Sequence, residues 1–305
     1  MKKTAFVFAG QGAQYSGMGK SLYDTSPAVK ALYDKAEEIR PGTMAQSFTG
    51  TAEELRQTVN TQPCLYLVDL AAALALGEKG IHADLCAGFS LGEVAALAYA
   101  GVYSAEDGFA LVDKRAQFMH EASLGMEPAM AAVMKLDTET VERICAETAD
   151  VYPVNYNSPG QIAISGTVAG IQAFKEKTAS LGGRIMDIPV SGAFHSPFMA
   201  SASDKLASEI ASLAFAAPKI PVYANLNGKP YGEGAKETLA QQVKSPVLWE
   251  KTIETMIEAG AEVFIECGAG KTLAGLIKRI SKDVQVFSVQ DAESLAAVCA
   301  AWEEM

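Results

Sequence analysis

Gly88-Phe89-Ser90-Leu91-Gly92 sets one hydroxyl between two glycines. Ala83 to Ala87 before it reads as a short buried strand, and Leu91 to Ala100 after it reads as a helix of small residues. A serine at a strand-to-helix turn, flanked this way, is the nucleophile-elbow pattern. The turn excludes bulk on either side, so the hydroxyl stands clear at the edge of a sheet. The same string also occurs as a plain turn, so Ser90 needs partners before it counts as a nucleophile.

A serine nucleophile needs a base, and the chain has 3 histidines. His82 opens the strand that ends at Ser90, roughly 25 Å away along an extended chain, at the wrong end of the sheet. His120 falls near the end of a helix and reads as a surface residue. His195 lies in Ser191-Gly192-Ala193-Phe194-His195-Ser196-Pro197, a loop of small residues of the kind that carries functional groups. By elimination, His195 is the base for Ser90.

Arg115 shares a helical face with Leu111 and Met119, which predicts a half-buried guanidinium. It admits two readings: a surface arginine whose stem covers apolar area, or a planar fork for a substrate carboxylate. The Gly10-Gln11-Gly12 loop follows a strand, at the sheet edge where open α/β folds bind ligands. It reads either as a glycine turn or as a source of backbone N–H groups that join Leu91 N–H in an oxyanion hole. Gly270-Lys271-Thr272 and Gly19-Lys20-Ser21 resemble phosphate-binding loops. Ile265 and Gln14 stand where each would need its first glycine, which argues against nucleotide binding.

The elements that must hold these residues alternate strand and helix. Thr4 to Phe8, the elbow strand, Val222 to Asn225, Glu262 to Glu266 and Val284 to Val289 read as strands. Between them come helices around Lys20–Tyr23, Ala28–Arg40, Pro63–Leu76, Ala105–Glu121, Pro197–Leu213 and Leu248–Ala259. The polar stretch from Phe48 to Asn60 and the segment Gly228–Gly234 read as irregular. Such alternation predicts a doubly wound α/β sheet. From Ala129 to Val190 the rhythm becomes β-α-β-β-α-β, the split βαβ plan of a ferredoxin-like module inserted into the larger unit. Residues 1–126 and 193–305 would form the discontinuous large domain, and 127–192 the small one.

With 305 residues, 49% of them apolar and 20% charged, the chain can bury a large core. A formal net charge of −11 argues against nucleic acid as a partner. The 5 cysteines are scattered in apolar runs, which reads as reduced buried thiols in a cytoplasmic protein. The apolar run from Cys64 to Leu76 is too short to span a bilayer and is interrupted by Asp69, so no membrane is expected. Pro63 reads as the first turn of that core helix. The tail puts Leu295, Val298, Cys299 and Trp302 on one stripe, which should dock on the core.

Taken together, the chain resembles the malonyl-CoA:acyl carrier protein transacylases of fatty acid synthesis and the acyltransferase domains of polyketide synthases. The likeness runs from Phe6-Val7-Phe8-Ala9-Gly10-Gln11-Gly12 to Glu266-Cys267-Gly268-Ala269-Gly270-Lys271. It includes Gly88-Phe89-Ser90-Leu91-Gly92-Glu93, Arg115-Ala116-Gln117-Phe118-Met119, Asn155 to Gln161, Gly192-Ala193-Phe194-His195-Ser196 and Ser245-Pro246-Val247-Leu248-Trp249.

The resemblance implies an α/β-hydrolase-like large domain with a ferredoxin-like insert. It implies Ser90 as nucleophile, His195 as base and Arg115 as clamp for the malonyl carboxylate. The N–H groups of Gln11 and Leu91 would form the oxyanion hole, and the Leu248 carbonyl would orient His195 in place of an aspartate. Phe194, Met119, Gln62 and Asn155 would position the substrate and set its specificity. Ala193-Phe194-His195 matches the pattern the family associates with malonyl over methylmalonyl units; a phenyl ring near the α-carbon leaves no room for a methyl group. Phe89 departs from the histidine that many relatives carry before the serine.

The implied partners are malonyl-CoA as substrate and an acyl carrier protein bearing the phosphopantetheine, with no permanently bound cofactor and a monomeric chain. Lys271, Lys278, Arg279, Lys282, Lys205 and Arg184 are candidates for docking the acidic carrier against the overall field. A trans-acting polyketide acyltransferase is an alternative within the family. From another class, a serine thioesterase or esterase shares the elbow and differs in passing the acyl group to water.

Overall fold

In the computed structural model, which describes residues 2–305, the apolar runs pair as strands along two sheets. In chain order the strands are β1 (Thr4–Phe8), β2 (Leu85–Gly88), β3 (Pro128–Met134), β4 (Val151–Ser158), β5 (Gln161–Thr167), β6 (Arg184–Ile188), β7 (Val222–Tyr223), β8 (Val263–Cys267) and β9 (Gln285–Val289). The first sheet has the order β7-β2-β1-β8-β9, with every pairing parallel. Its β1, β2 and β8 are buried along their whole length, as expected where helices cover both faces of a parallel sheet. Phe8 stands level with Gly88 on one side and with Cys267 on the other. The carboxyl ends of the three central strands therefore open onto one edge, and the candidate residues collect there.

The second sheet has the order β4-β5-β3-β6 and is antiparallel throughout. Helices Thr138–Ala146 and Val168–Thr178 pack on it over an apolar cluster of its own, including Val133, Ile144, Ile164 and Phe174. Val247, in the loop before the helix Trp249–Glu258, pairs with the edge strand β4 of this sheet. Val247 N–H donates to Val154 O (2.8 Å), and Tyr156 N–H donates to Val247 O (2.9 Å).

The strand–helix order follows the sequence closely, and the departures have physical reasons. The core helix begins at Thr58 and runs to Glu78, so Pro63 sits inside it instead of opening it. Proline has no N–H for the Val59 carbonyl one turn back. The Arg40 guanidinium donates to that carbonyl at 3.2 Å and lets the helix continue. Among the described residues this is the one helix long and apolar enough to cross a membrane, and it is buried in the core. Two short elements go beyond the sequence reading: Thr43–Thr49 is helical, and Glu54–Arg56, inside the stretch read as irregular, is a 3-10 turn. The helix Ala235–Gln242 was not expected at all. The tail helix Ala292–Glu303 opens with an Asp291–Ser294 capping box and buries Leu295 and Val298, as its stripe predicts. The 5 cysteines are unpaired, and four of them are buried.

Candidate active site

Ser90 leaves β2 with φ 55° and ψ −102°, and the helix Leu91–Tyr99 starts at the next residue. A non-glycine residue at positive φ is strained and persists only where its surroundings fix it. Here the chain crosses itself closely. A Cβ on Gly88 would collide with the backbone of Gly92, and one on Gly92 with the Phe8 carbonyl. The Ser90 backbone is also tied on both sides. Its N–H donates to Asn225 Oδ1 (2.7 Å), and its carbonyl accepts from Gln242 Nε2 (2.7 Å). Both of these residues lean on Glu93, whose Oε2 accepts from Asn225 N–H (3.1 Å) and Gln242 Nε2 (2.9 Å) while Oε1 accepts from Tyr231. Burial pushes the Glu93 carboxyl up to about 7, against the opposing pull of those hydrogen bonds and the Arg115 charge.

His195 is also held at positive φ (60°) by its N–H to Val243 O (3.0 Å). Its Nε2 is 2.6 Å from Ser90 Oγ. On the far side Nδ1 faces the carbonyls of Gln242 (3.0 Å) and Ser245 (3.2 Å). Two carbonyl acceptors require the ring proton at Nδ1, which assigns Nε2 as the bare nitrogen that accepts from the serine hydroxyl. The orienting carbonyl is therefore not Leu248. That oxygen accepts from the N–H and hydroxyl of Thr252 (2.9 and 2.8 Å), inside its own helix. Burial first, and the nearby Arg115 charge second, pull the imidazole down to about 4, with the two carbonyls opposing. His195 is thus neutral, as a base must be. His82 and His120 are both exposed and stand outside this constellation.

Arg115 projects from the helix Ala105–Ala122, which Ser104 caps by accepting from Asp107 N–H (3.0 Å). Arg115 is 1% exposed, so the expected half-buried arginine is in fact fully buried. One Nη donates to Gln62 Oε1 (2.5 Å). The other reaches Gln242 Oε1 (2.9 Å) and Ser90 Oγ (3.1 Å), while Nε has no partner. Among the described residues no carboxylate lies within ion-pair distance of it. Burial lowers this guanidinium to about 10, opposed by Glu93, and it stays cationic at neutral pH. A buried cation held by neutral amides is an anion site waiting for its anion.

These groups face one cavity of about 590 Å³, lined among others by Gln11, Leu91, Met119, Asn155 and Phe194. Among the described residues the N–H groups of Gln11 and Leu91 donate to no protein acceptor. They are the unspent donors that a developing oxyanion would need. Asn155 Oδ1 and Asn157 Oδ1 are likewise buried without partners. The glycine loop after β8 offers no phosphate cradle. Glu266 already accepts from Leu273 and Ala274 N–H (3.0 and 2.8 Å), filling the helix N-terminus with the chain's own carboxylate.

The acyl transferase domain family matches residues 5–300. The chain belongs to that family. Its acyltransferase fold is α/β, with one parallel and one antiparallel sheet. The chain is 39% identical to the malonyl CoA-acyl carrier protein transacylase of Bacillus subtilis over 303 residues, covering 97% of this chain and 96% of the relative. It is 40% identical to the transacylase of that name from Synechocystis over 295 residues, covering 96% and 99%. The malonyl CoA-acyl carrier protein transacylase of Clostridium perfringens superposes with a TM-score of 0.96 at 37% identity, covering 99% of this chain and 98% of that one. A malonyl-transacylase solved with a type II polyketide acyl carrier protein gives 0.94 at 34% identity, covering 98% and 100%. Within this acyltransferase, Gln242, Asn225 and Thr58 are the site residues that sequence reasoning missed. Gln242 and Asn225 act through amides and main-chain atoms that leave no pattern. Thr58 sat in a stretch read as irregular.

Proposed function

We propose that the chain is a malonyl-CoA:acyl carrier protein transacylase working through a malonyl ester of Ser90. As Oγ attacks the thioester carbonyl, its proton passes to His195 Nε2, and the oxyanion forms against Gln11 and Leu91 N–H. Collapse breaks the C–S bond, and the CoA sulfur leaves with the proton from His195. The phosphopantetheine thiol then enters and gives its proton to His195. Its sulfur attacks the ester, and Ser90 recovers the proton as the C–O bond breaks. The observation that carries the reading is Arg115: a buried guanidinium with no carboxylate of its own, 3.1 Å from the nucleophile's oxygen. It suits an acyl group that ends in a carboxylate, and Phe194 and Met119 on the same cavity suit a small one. Main-chain carbonyls instead of an Asp or Glu behind His195 support transfer over the hydrolase alternative.

The large unit, residues 1–126 and 193–305, is read as α/β-hydrolase-like, supported by an elbow at the end of a central parallel strand. Residues 127–192 are read as a ferredoxin-like insert, supported by their antiparallel order and separate apolar cluster. The unpaired cysteines support the cytoplasm as its compartment. Of the docking cations, Lys205 is already paired with Glu121 (2.6 Å) and Arg279 donates to Gln161, whereas Lys271 and Lys278, before and on the helix Thr272–Ile280 that borders the cavity, support that face for an acidic carrier. Brief incubation with malonyl-CoA should add one malonyl group, mapped to the Ser90 peptide by mass, and Ser90→Ala should add none. An adduct that persists in Ser90→Ala would move the nucleophile elsewhere.

A further inference from the structure

A line of hydrogen bonds joins the guanidinium to the glycine loop. One Nη of Arg115 donates to Gln62 Oε1 (2.5 Å), Gln62 Nε2 donates to Thr58 Oγ1 (3.0 Å), and Thr58 Oγ1 donates to Gln11 Oε1 (3.0 Å). Thr58, Gln62 and Arg115 are each about 1% exposed, so the first two bonds of the line are shut off from bulk water, and Gln11 at its end is half-buried. Its direction is not arbitrary. A guanidinium can only donate, so it fixes the carbonyl of the Gln62 amide toward itself and the NH2 toward Thr58. The hydroxyl must then accept from Gln62, which leaves its single proton for Gln11. Thr58 is the first residue of the core helix, so the relay is anchored on a rigid element.

We propose that Thr58 is a positioning residue that couples the Arg115 clamp to the oxyanion hole, by holding the Gln11 side chain and with it the Gln11 backbone N–H. This rests on the transacylase reading above. A relay of this kind means that a carboxylate seated on Arg115 acts on a guanidinium whose own placement sets the donor for the reacting carbonyl.

The test is single-turnover acylation of Ser90 by malonyl-CoA and by acetyl-CoA, with melting temperature and circular dichroism as folding controls. Thr58→Val and Thr58→Ala both remove the hydroxyl and should slow loading of either acyl group about tenfold with an unchanged half-saturation concentration. Thr58→Ser keeps the hydroxyl and should stay within about twofold of wild type. In an Arg115→Ala background the relay has lost the group that sets its direction. Adding Thr58→Val should then slow acetyl loading no further. Wild-type rates in the hydroxyl-less variants, a change in half-saturation alone, or full additivity with Arg115→Ala would overturn the coupling. Failure of the wild-type protein to load malonyl at all would instead overturn the transacylase reading.

Discussion

The two ends of the site are held by different means. At the reacting end backbone conformation does most of the positioning, with the Asn225 and Gln242 amides pinning the Ser90 N–H and carbonyl. Ser90 and His195 both sit at positive φ, the elbow glycines leave no room for a Cβ, and the imidazole is oriented by carbonyl oxygens. At the clamp end, side chains hold side chains: Arg115 rests on Gln62 and Gln242, and Gln62 rests on Thr58. Backbone geometry changes only if the fold changes, whereas an amide or hydroxyl is lost by one substitution. Chemistry should therefore be brittle and acyl selectivity adjustable. Gln242 belongs to both ends, since its carbonyl orients His195 while its side chain touches Arg115, Glu93 and the Ser90 carbonyl.

The sharpest way to break this contrast is at the elbow. Gly92→Ala drives a methyl group into the Phe8 and Ala9 carbonyls, which cannot yield without moving β1. It should cost about 3 kcal/mol of stability or more and abolish acylation for every acyl group, read by thermal melting and adduct mass. A folded, active Gly92→Ala protein would mean that the elbow is looser than its packing implies.

A smaller effect should appear at the boundary between the two ends. His195 is held down to about 4 by burial first and by Arg115 second. Its lowered folded value means that the stability it contributes is present above the ordinary histidine range and is lost as pH falls toward 4. NMR titration of His195 should show the ring neutral at pH 6. Arg115→Ala should raise its midpoint, though not back to 6.5, because burial remains the larger cause. A midpoint near 6.5 in the wild-type protein would contradict the packing around the ring.

What the sequence made legible follows the same division. Ser90 announces itself because an elbow needs glycines at fixed spacing. His195 emerges because so few histidines compete; the helix and face of Arg115 are legible, but its spacing admits two readings and its role comes from the family resemblance. Their supports leave weaker marks. The oxygens behind His195 belong to Gln242 and Ser245, and any residue type supplies a carbonyl, so the choice of Leu248 had no side-chain check. Asn225 follows a strand of only two residues, Val222–Tyr223. The helix bearing Gln242 is short, polar and opened by Gly234 without a side-chain cap, so no periodicity betrays it. Pro63 misled because an arginine distant in sequence repairs the carbonyl that proline leaves bare.

On the proposed mechanism Arg115 reads the carboxylate of the acyl group, while Ser90 and His195 carry out the same transfer step on either acyl group. The direct measurement is the ratio of malonyl to acetyl loading rates on Ser90, in the wild-type protein and in Arg115→Ala. The account predicts that this ratio falls by about 100-fold, with acetyl loading reduced about tenfold at most. Equal losses for the two acyl groups would contradict it and leave Arg115 a purely structural cation.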